Sequence, residues 1–586
     1  MSQPDTDTRT SWQTHTSWQK RPPRRRALVA RAVQLAGLFD MWAAFAPRRH
    51  GRSLVLEFLP TAGLLTARVS LLVGGALLIY LGAGLRRGKY RAWQLATTVV
   101  GLGFLLQLGR PPGPGPAVVS VALFALLIAA RHEFRAPSGR TSRVRALAVG
   151  AGFLTTGFAV GFLEMATRLH RLAPGTGPGD WAAHSALGLI GVTGPVRFVS
   201  PMAALLVDYT TGAFGLLALA ATVVLLLRPG SRRPARTAAD ESMLHDLLAR
   251  HGAKDSLSYF ALRHDKSLLW APNGSAVIAY RVINGVSLAS GDPIGPESAW
   301  PDAIGAWLAD CAAYGWTPAV LGCGNSAGRA FRKHGLDVVE LGDEAILDVS
   351  TFSLQGRPMR GVRQAVNRMQ RAGFTCTVDR QRDLPADVLA GVVLASDRLR
   401  DGGVERGFSM ALSRIGEPGD GDCLLVISRD ATGRIRGVLQ FVPWGADGLS
   451  LDLMRGDREA GNGLTEQMVV CAVEAAPALG VRRVSLNFAV LRSVFARADE
   501  LGAGPVLRGW HRLLRLASRR WQIESLYRAN AKYQPDWQPR YLCFPTARDL
   551  PRIAIAALSA ESFLPYPRRA PAEAPRPEIS RTLVDR

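Results

Sequence analysis

Hydrophobic residues are distributed unevenly along this 586-residue chain. Apolar runs dominate the first 227 residues after a polar start, and about six of them approach the length of about 20 residues that a helix needs to cross a bilayer. The predicted spans are 27–45, 64–85, 92–108, 116–130, 146–163 and 205–227. A further apolar stretch, 181–196, is interrupted and glycine-rich, which favours a re-entrant or interfacial segment. The pattern predicts a multi-pass α-helical membrane domain over residues 27–227.

Charges between the predicted spans indicate an orientation. Basic residues cluster at 86–91, 131–145 and 228–236 but are fewer at 110–115 and 164–180. The positive-inside rule then places both termini in the cytoplasm. Arg48, Arg49 and Arg52 would face outward, so the first span is alternatively an interfacial helix. Glu164 and Asp208 lie at predicted span ends, where snorkelling or capping is favoured over an ion path.

The composition changes after an arginine-rich stretch, 228–239, which predicts a basic linker at the membrane surface. From there, helical and strand patterns alternate, and the order repeats from residue 356 onward. We predict two copies of one α/β unit, over 240–355 and 356–550. Residues 1–26 are predicted to be a disordered basic arm, and residues 566–586 a disordered polar tail.

The stretch 449–487 combines a strand pattern with two charges. Apolar residues alternate with Ser450 and Asp452, which predicts a strand with one buried face, and Arg455 lies at its end. A glycine-rich turn, a helix over 464–478 and a strand over 481–487 follow. Backbone N–H groups and a helix N-terminus would lie beside the charged pair and suit an anionic ligand or a developing oxyanion. The alternative is a structural ion pair at a strand end.

The net charge of +24 favours anionic partners, either nucleic acid or phospholipid headgroups. A predicted helix over 358–372 carries one basic face, interpreted as an RNA-phosphate contact or as a solvated surface. The arginines of this face are Arg360, Arg363, Arg368 and Arg371. A second basic amphipathic helix, 508–521, suits a membrane surface. The six cysteines show no paired spacing and no HExxH motif occurs, so we expect reduced thiols and no metal site.

Several passages, taken together and in order from residue 256 to residue 541, resemble one known family. They are Ser-Leu-Ser-Tyr-Phe-Ala-Leu at 256–262 with Asp265-Lys266, Gly291-Asp292-Pro293, Arg-Gln-Ala-Val-Asn-Arg at 363–368, Ser-Leu-Asp-Leu-Met-Arg at 450–455, Asn462-Gly463-Leu464 with Glu466, Ser-Leu-Asn-Phe at 485–488, and Asn-Ala-Lys-Tyr-Gln-Pro-Asp-Trp-Gln-Pro-Arg-Tyr at 530–541. The family is that of the aminoacyl-phosphatidylglycerol synthases, also called lysyl-phosphatidylglycerol synthases or multiple peptide resistance factors.

The resemblance implies tandem acetyltransferase-like (GNAT) folds on a membrane anchor. The implied reaction moves an amino acid, most often lysine, from aminoacyl-tRNA to the glycerol hydroxyl of phosphatidylglycerol. It implies a cytoplasmic catalytic domain in the cell membrane, no cofactor beyond the aminoacyl-tRNA donor, and a separate aminoacyl-tRNA synthetase. The spans are fewer than in lipid-flipping members, and no synthetase domain follows Tyr541.

Residue by residue, the resemblance implies that Asp452 orients or deprotonates the lipid hydroxyl or holds the ammonium group of the amino acid. Arg455, Lys532 and Arg540 would bind the lipid phosphate or the terminal tRNA phosphate. The further substrate-binding candidates are Glu524, Asn530 and Asn487. The four arginines of the 358–372 helix are the candidates for tRNA contact.

Two other functional classes stay open. The pattern Arg458-x-x-Gly461-x-Gly463 matches the pyrophosphate loop of acyl-CoA transferases with the GNAT fold. A transporter with a regulatory cytosolic domain is the third class. It requires charged groups inside the helical region, and the sequence shows few internal polar pairs there.

Overall fold

The computed structural model describes residues 24–45, 63–86, 88–108, 114–134, 141–167, 172–226, 236–400, 407–412, 414–490 and 529–564. The chain divides into two compact units. The helical unit contains residues 21–232 together with 310–316, and the α/β unit contains 233–309 and the chain from residue 317 onward. The basic helix predicted at 508–521 lies outside the described residues, as do the two predicted disordered ends.

The described helices of the helical unit are α1 (Arg24–Phe45), α2 (Gly63–Arg86), α3 (Tyr90–Leu108), α4 (Pro114–Ala129), α5 (Thr141–Ala166), α6 (Pro178–Leu189) and α7 (Pro201–Leu226). All of these helices except α6 lie on the predicted apolar spans. Among the described residues, two segments are long and apolar enough to cross a membrane, Ala146–Ala166 and Pro201–Leu226. A multi-pass arrangement therefore stays a prediction. The interrupted stretch at 181–196 contains the greater part of α6.

Helices α5, α6 and α7 enclose a polar pair that we did not expect. The imidazole Nε2 of His184 lies 3.2 Å from Oδ1 of Asp208, and His184 is only 1% exposed. The Thr210 hydroxyl lies 3.5 Å from the carboxylate of Glu164. The pair was not visible from the predicted spans, because its histidine lies on α6, in a stretch that was not predicted to be a span. Asp208 accordingly bonds to a neighbouring helix instead of only capping its own.

In the described part of the chain, eleven strands form one sheet. The strands are β1 (Ser267–Trp270), β2 (Val277–Ile283), β3 (Val286–Ser290), β4 (Thr317–Cys323), β5 (Asp337–Asp348), β6 (Thr375–Arg380), β7 (Leu424–Arg429), β8 (Ile435–Trp444), β9 (Gly448–Gly456), β10 (Arg483–Val490) and β11 (Asp536–Phe544). The helices are α8 (Ala238–His251), α9 (Trp300–Tyr314), α10 (Asn325–Lys333), α11 (Arg360–Arg371), α12 (Ala386–Leu399), α13 (Leu464–Ala475) and α14 (Leu550–Ala560). The predicted α/β fold of this region is confirmed.

The sheet repeats one arrangement twice and exchanges a strand between the two copies. Strands β1 to β3 are antiparallel, and β3 runs parallel to β4 after α9; strands β6 to β9 are antiparallel, and β9 runs parallel to β10 after α13. The last strand of each copy then pairs with the other copy, β5 with β10 and β11 with β4. Strands β5 and β11 also pair with each other at the centre. A boundary at residue 355/356 thus divides the chain but not the sheet.

Along β7, successive side chains point to opposite faces of the sheet, and a different helix packs against each face. Leu424 and Val426 of β7 belong to the core under α11 and α13, whereas Leu425 and Ile427 pack against Val392 of α12. This is the period of two that a strand buried on both faces requires. The predicted helix at 464–478 ends at Ala475 and continues as a 3₁₀ turn, since a proline at position 477 cannot donate to a helical ladder.

A core substitution tests this layering. Phe441 of β8 is fully buried in the core under α11 and α13. We expect Phe441→Ala to lower the free energy of unfolding by about 3–5 kcal/mol, because the lost ring leaves a cavity that the sheet cannot close. Urea unfolding followed by circular dichroism measures the change. Leu394→Ala on α12, where the side chain is 71% exposed, is the control and should change the value by less than about 0.5 kcal/mol. An equal effect of both substitutions would contradict the packing described.

Candidate active site

The pairing of β9 with β8 contains a β-bulge at Asp452. Phe441 pairs with Leu451 and Gln440 pairs with Leu453, so Asp452 is the extra residue of β9 in this register. A bulge inserts one extra residue into one strand and re-aims the side chains that follow it.

The bulge places the two predicted catalytic charges on one face. Arg455 lies opposite Val438, which packs against Val392 of α12. Ser450 lies opposite Val442, which is four residues further along β8 and therefore on the same face. In a regular strand, residues three apart would point to opposite faces. With one residue inserted at Asp452, Asp452 and Arg455 both face the same side. The sequence pattern predicted that Asp452 shares the face of Ser450. The bond from Gln440, which lies between Val438 and Val442 on β8, agrees with this prediction, but the pattern did not contain the bulge.

The sheet opens beside this face. Parallel strands β9 and β10 pair only from Gly448 to Ser450, and then diverge. Strand β10 is irregular between Ser485 and Phe488, and Asn487 there adopts φ = 67°. Asparagine tolerates this left-handed conformation better than most residues. The Asn487 amide donates to the Leu451 carbonyl across the divergence, so this candidate residue borders the opening next to Asp452.

Two N–H donors hold the carboxylate of Asp452. The Leu412 backbone N–H donates to Oδ1 at 2.5 Å, and the Gln440 side-chain amide donates to Oδ2 at 2.6 Å. The side chain stays partly exposed. A carboxylate at the mouth of a diverging strand pair is therefore accessible to a substrate, whereas one sealed in the core would not be.

Arg455 is anchored by α12. Its Nη1 donates at 2.8 Å to both the carbonyl and the hydroxyl of Ser396, and the Asp397 carboxylate lies 3.7 Å away. The side chain is 10% exposed. These contacts orient the guanidinium on the same face as Asp452, a position suited to an anion that approaches Asp452.

A separate cleft of about 1050 Å³ lies at the other end of β9 and β10, with Glu344, Trp444, Arg483 and Arg540 among its lining residues. Arg540 on β11 was predicted to bind a substrate phosphate, and the structure contradicts this. Its guanidinium is buried, and its N–H groups donate to protein acceptors. These acceptors are the carboxylates of Glu344 and Asp255, the Ser256 hydroxyl and the Gly322 carbonyl. All five N–H groups are engaged in these bonds, so Arg540 acts as a structural centre.

The remaining predicted binding residues are divided between other positions. Lys532 donates to Glu466 in the first turn of α13 at 2.6 Å and is 30% exposed, so it can still meet an anion. Asn530 is buried and donates to the Leu486 carbonyl at 3.3 Å, which indicates a structural contact with β10. Glu524 lies outside the described residues. The structure thus does not bring Lys532 and Arg540 together in one phosphate site.

The amphipathic pattern predicted for α11 is confirmed, with Val362, Ala365, Val366 and Met369 on its buried side. Two of its arginines hold neighbouring loops. Arg363 donates to the Leu354 carbonyl, and Arg368 donates to the Asn462 carbonyl. Arg360 and Arg371 are exposed and keep the prediction of RNA contact.

Sequence reasoning missed the residues that position Asp452. Gln440 interrupts the apolar run of β8 and is fully buried there. A lone amide in such a run was an available signal, because buried polar groups need partners. The 407–416 segment, which supplies the Leu412 donor, showed no pattern of its own. Among the described residues, no group of three His, Cys, Asp or Glu side chains is placed to hold a metal ion.

Asp292 in the cleft yields a pH prediction. Burial and then the neighbouring Asp255 carboxylate raise the pKa of Asp292 to about 7, above about 3.9 for an unfolded aspartate. The folded state therefore binds this proton more tightly, and the stability it contributes is complete below about pH 4 and lost as the pH rises through about 7. We therefore expect the Tm of Asp292→Asn, minus the Tm of the unaltered chain, to increase as the pH is raised from 4.5 to 7.5.

Differential scanning fluorimetry over this pH range measures the effect. Asp536→Asn changes an exposed carboxylate in the same cleft and is the matched control. A Tm difference for Asp292→Asn that stays constant with pH would contradict the prediction.

Comparisons with known proteins identify the family of the chain. The sequence profile of the family described as phosphatidylglycerol lysyltransferase, C-terminal, matches residues 245–544, which is just over half of the chain. The lysylphosphatidylglycerol biosynthesis bifunctional protein LysX of Rhodococcus jostii (strain RHA1) is 46% identical over 456 residues, covering 77% of this chain and 40% of the relative. LysX of Mycobacterium avium (strain 104) is also 46% identical over 456 residues, with coverages of 77% and 38%.

The chain thus spans about 40% of the length of these curated relatives. Among solved structures, L-PGS from Bacillus licheniformis superposes with a TM-score of 0.50 at 21% identity, covering 57% of this chain and 99% of that one. At this identity the similarity shows the fold alone. The resemblance inferred from the ordered passages is confirmed by the profile match, and the chain belongs to the family of phosphatidylglycerol lysyltransferase C-terminal domains.

Proposed function

We propose that the chain is a phosphatidylglycerol aminoacyltransferase that uses aminoacyl-tRNA as its donor, with lysine as the amino acid. The names of its LysX relatives support lysylphosphatidylglycerol formation. The single observation that carries the proposal is the pair of Asp452 and Arg455 on one face of β9, beside the opening between β9 and β10. A nucleophile-orienting carboxylate and an anion-binding guanidinium are the groups that this reaction requires.

The reaction exchanges one ester for another. The glycerol hydroxyl of the lipid attacks the aminoacyl carbonyl carbon, a new C–O bond forms, and the bond to the tRNA ribose oxygen breaks. The hydroxyl proton passes to the leaving ribose oxygen, so atoms and charge balance without an external energy source. In this scheme Asp452 accepts a hydrogen bond from the attacking hydroxyl, and Arg455 pairs with the lipid phosphate.

The finer features of the resemblance belong to the same proposal. The repeated strand order, with one parallel pair in each copy, supports two acetyltransferase-like folds that share one sheet. The helical unit would anchor the chain in the cell membrane by several spans, with the α/β unit at the cytoplasmic face. A separate aminoacyl-tRNA synthetase would supply the donor.

An acyl-CoA transferase is the second candidate, and one observation favours it. The loop before α13 contains Gly461 at φ = 80° and Gly463 at φ = 120°, and it ends at the helix N-terminus as in a pyrophosphate-binding loop. In this structure the Arg368 guanidinium of α11 also reaches that loop through the Asn462 carbonyl. The loop therefore has a cationic side chain ready for an anion, which either a CoA pyrophosphate or an RNA phosphate could be.

Lipid analysis tests the proposed reaction. We expect cells that express the chain to form a ninhydrin-positive phospholipid, and we expect Asp452→Ala to reduce it at least ~100-fold, because the attacking hydroxyl loses its acceptor. Thin-layer chromatography measures the product. Glu459→Gln, an exposed change near the same strand end, is the control and should leave the product unchanged.

Two results would overturn the proposal. One is a chain that forms no aminoacylated lipid when lysyl-tRNA and phosphatidylglycerol are supplied, and the other is full activity of Asp452→Ala. Product formation with acyl-CoA in place of aminoacyl-tRNA would establish the second candidate instead.

Salt dependence tests the role of α11. If Arg360 and Arg371 contact tRNA phosphates, Arg360→Glu combined with Arg371→Glu should raise the KM for aminoacyl-tRNA. The slope of log KM against log salt should also fall by about 1–2, since fewer counterions are released on binding. Steady-state kinetics at several salt concentrations gives the slope. Arg329→Glu with Arg332→Glu on α10, where both arginines are exposed, is the matched control. The same slope in both double variants would remove α11 from the RNA-binding surface.

A further inference from the structure

A chain of two buried amides leads to Asp452. The Gly416 backbone N–H donates to Oε1 of Gln381 at 2.8 Å, Nε2 of Gln381 donates to Oε1 of Gln440 at 3.2 Å, and Nε2 of Gln440 donates to Asp452. Gln381 is 3% exposed and Gln440 is not exposed at all. The two side-chain amides are therefore buried and bonded in series, and the last of them donates to a partly exposed carboxylate.

The direction of this path is determined at both ends by the backbone. A backbone N–H can only donate, so the Gly416 N–H requires the oxygen of Gln381 to face it. At the other end Nε2 of Gln440 also donates to the Arg414 carbonyl at 2.8 Å, and a carbonyl can only accept. A 180° flip of either side-chain amide would place two donors or two acceptors against each other. An N–H of Gln440 therefore always points at Asp452.

This direction favours one protonation state of the carboxylate, which also interacts electrostatically with the Cys423 thiol next to β7. Oδ2 of Asp452 accepts from Gln440, and Oδ1 accepts from the Leu412 N–H. Hydrogen bonds donated to a carboxylate favour its charged form. A protonated Asp452 would have to direct its own O–H away from two fixed N–H donors. Such a group is a good hydrogen-bond acceptor and a poor proton donor or base.

The same amides also hold the segment over the site. Leu412 bonds to Asp452, Arg414 to Gln440 and Gly416 to Gln381, so these three backbone positions and the carboxylate are held by one set of bonds. Loss of Gln440 would remove one bond to Asp452 and one bond to the Arg414 carbonyl at the same time.

We propose that Gln440, backed by Gln381, is a positioning residue that holds Asp452 as an ionised hydrogen-bond acceptor. The inference rests on the proposed function and deepens it. Asp452 orients the attacking hydroxyl, or the ammonium group of the amino acid, without taking a proton. The hydroxyl proton passes to the leaving ribose oxygen, and Asp452 ends the reaction in the state in which it began.

The test is a pH profile of kcat/KM for the purified full chain, measured from pH 5 to 9 with lysyl-tRNA and phosphatidylglycerol vesicles. We expect Gln440→Leu to lower kcat/KM about 10–100-fold and to move the acid limb of the profile upward by about one pH unit, since a hydrogen-bond donor to the charged form is lost. Gln440→Glu keeps the shape but lacks the N–H, and it should move the limb in the same direction.

The matched control is Gln467→Leu. Gln467 is a buried amide of the same half that bonds to the Phe374 carbonyl and the Ser428 hydroxyl, away from Asp452. Its loss should leave the acid limb in place even if the rate falls. If Gln440→Leu lowers the rate but leaves the acid limb where it is in the unaltered chain, Gln440 has only a packing role and the inference is overturned.

A second measurement does not depend on activity. The Tm values of Gln440→Leu, Asp452→Ala and the double variant form a cycle. Coupled groups should make the combined Tm loss smaller than the sum of the two single losses. Strict additivity would overturn the inference. If the unaltered chain forms no aminoacylated lipid, the proposed function fails, and this cycle still decides whether Gln440 holds Asp452.

Discussion

One buried guanidinium holds the centre of the α/β unit. Arg540 belongs to β11, the strand exchanged into the first copy of the fold, and it bonds to Glu344 of β5 and to Asp255 before β1. Burial lowers the pKa of Arg540, but the carboxylates of Glu344 and Asp255 outweigh this effect and raise it above its usual value. A buried charge without partners is strongly destabilising, so this network forms only when both copies and the exchanged strands are in place. The shared sheet therefore behaves as one unit.

That central constraint also positions the candidate site. Glu344 accepts from Ser485 of β10, and Ser485 in turn accepts from the backbone N–H of Asn487, the residue that borders the opening beside Asp452. The polar groups thus continue across three neighbouring strands, from the cleft to the residues beside Asp452. Because each member is bonded, a network of this kind makes the local arrangement specific. The site depends on the junction between the copies and not on one copy alone.

The helical unit shows a different use of polar groups. His184 and Asp208 join α6 to α7, and glycines allow the helices to approach closely; a Cβ at Gly188 would lie 2.3 Å from the Thr211 hydroxyl. Small residues at helix contacts and an interhelical polar bond are the means by which helices associate where the hydrophobic effect between them is weak. This pair weakens the argument that a transporter is excluded by a lack of internal polar pairs. A single interhelical bond does not form an ion path.

The sequence by itself determined the order and type of the elements, the apolar helices, the amphipathic side of α11, and the family, through the passages around Asp452, Asp292 and Arg540. These features follow from local periodicity and from short runs of residues. Only the tertiary structure decided that a bulge brings Asp452 and Arg455 to one face, that Arg540 is saturated by carboxylates distant in sequence, and that Gln440 directs an N–H to Asp452. A one-residue bulge leaves no periodic signal, and hydrogen-bond partners on different strands depend on a register and a strand exchange that the chain's local pattern does not contain.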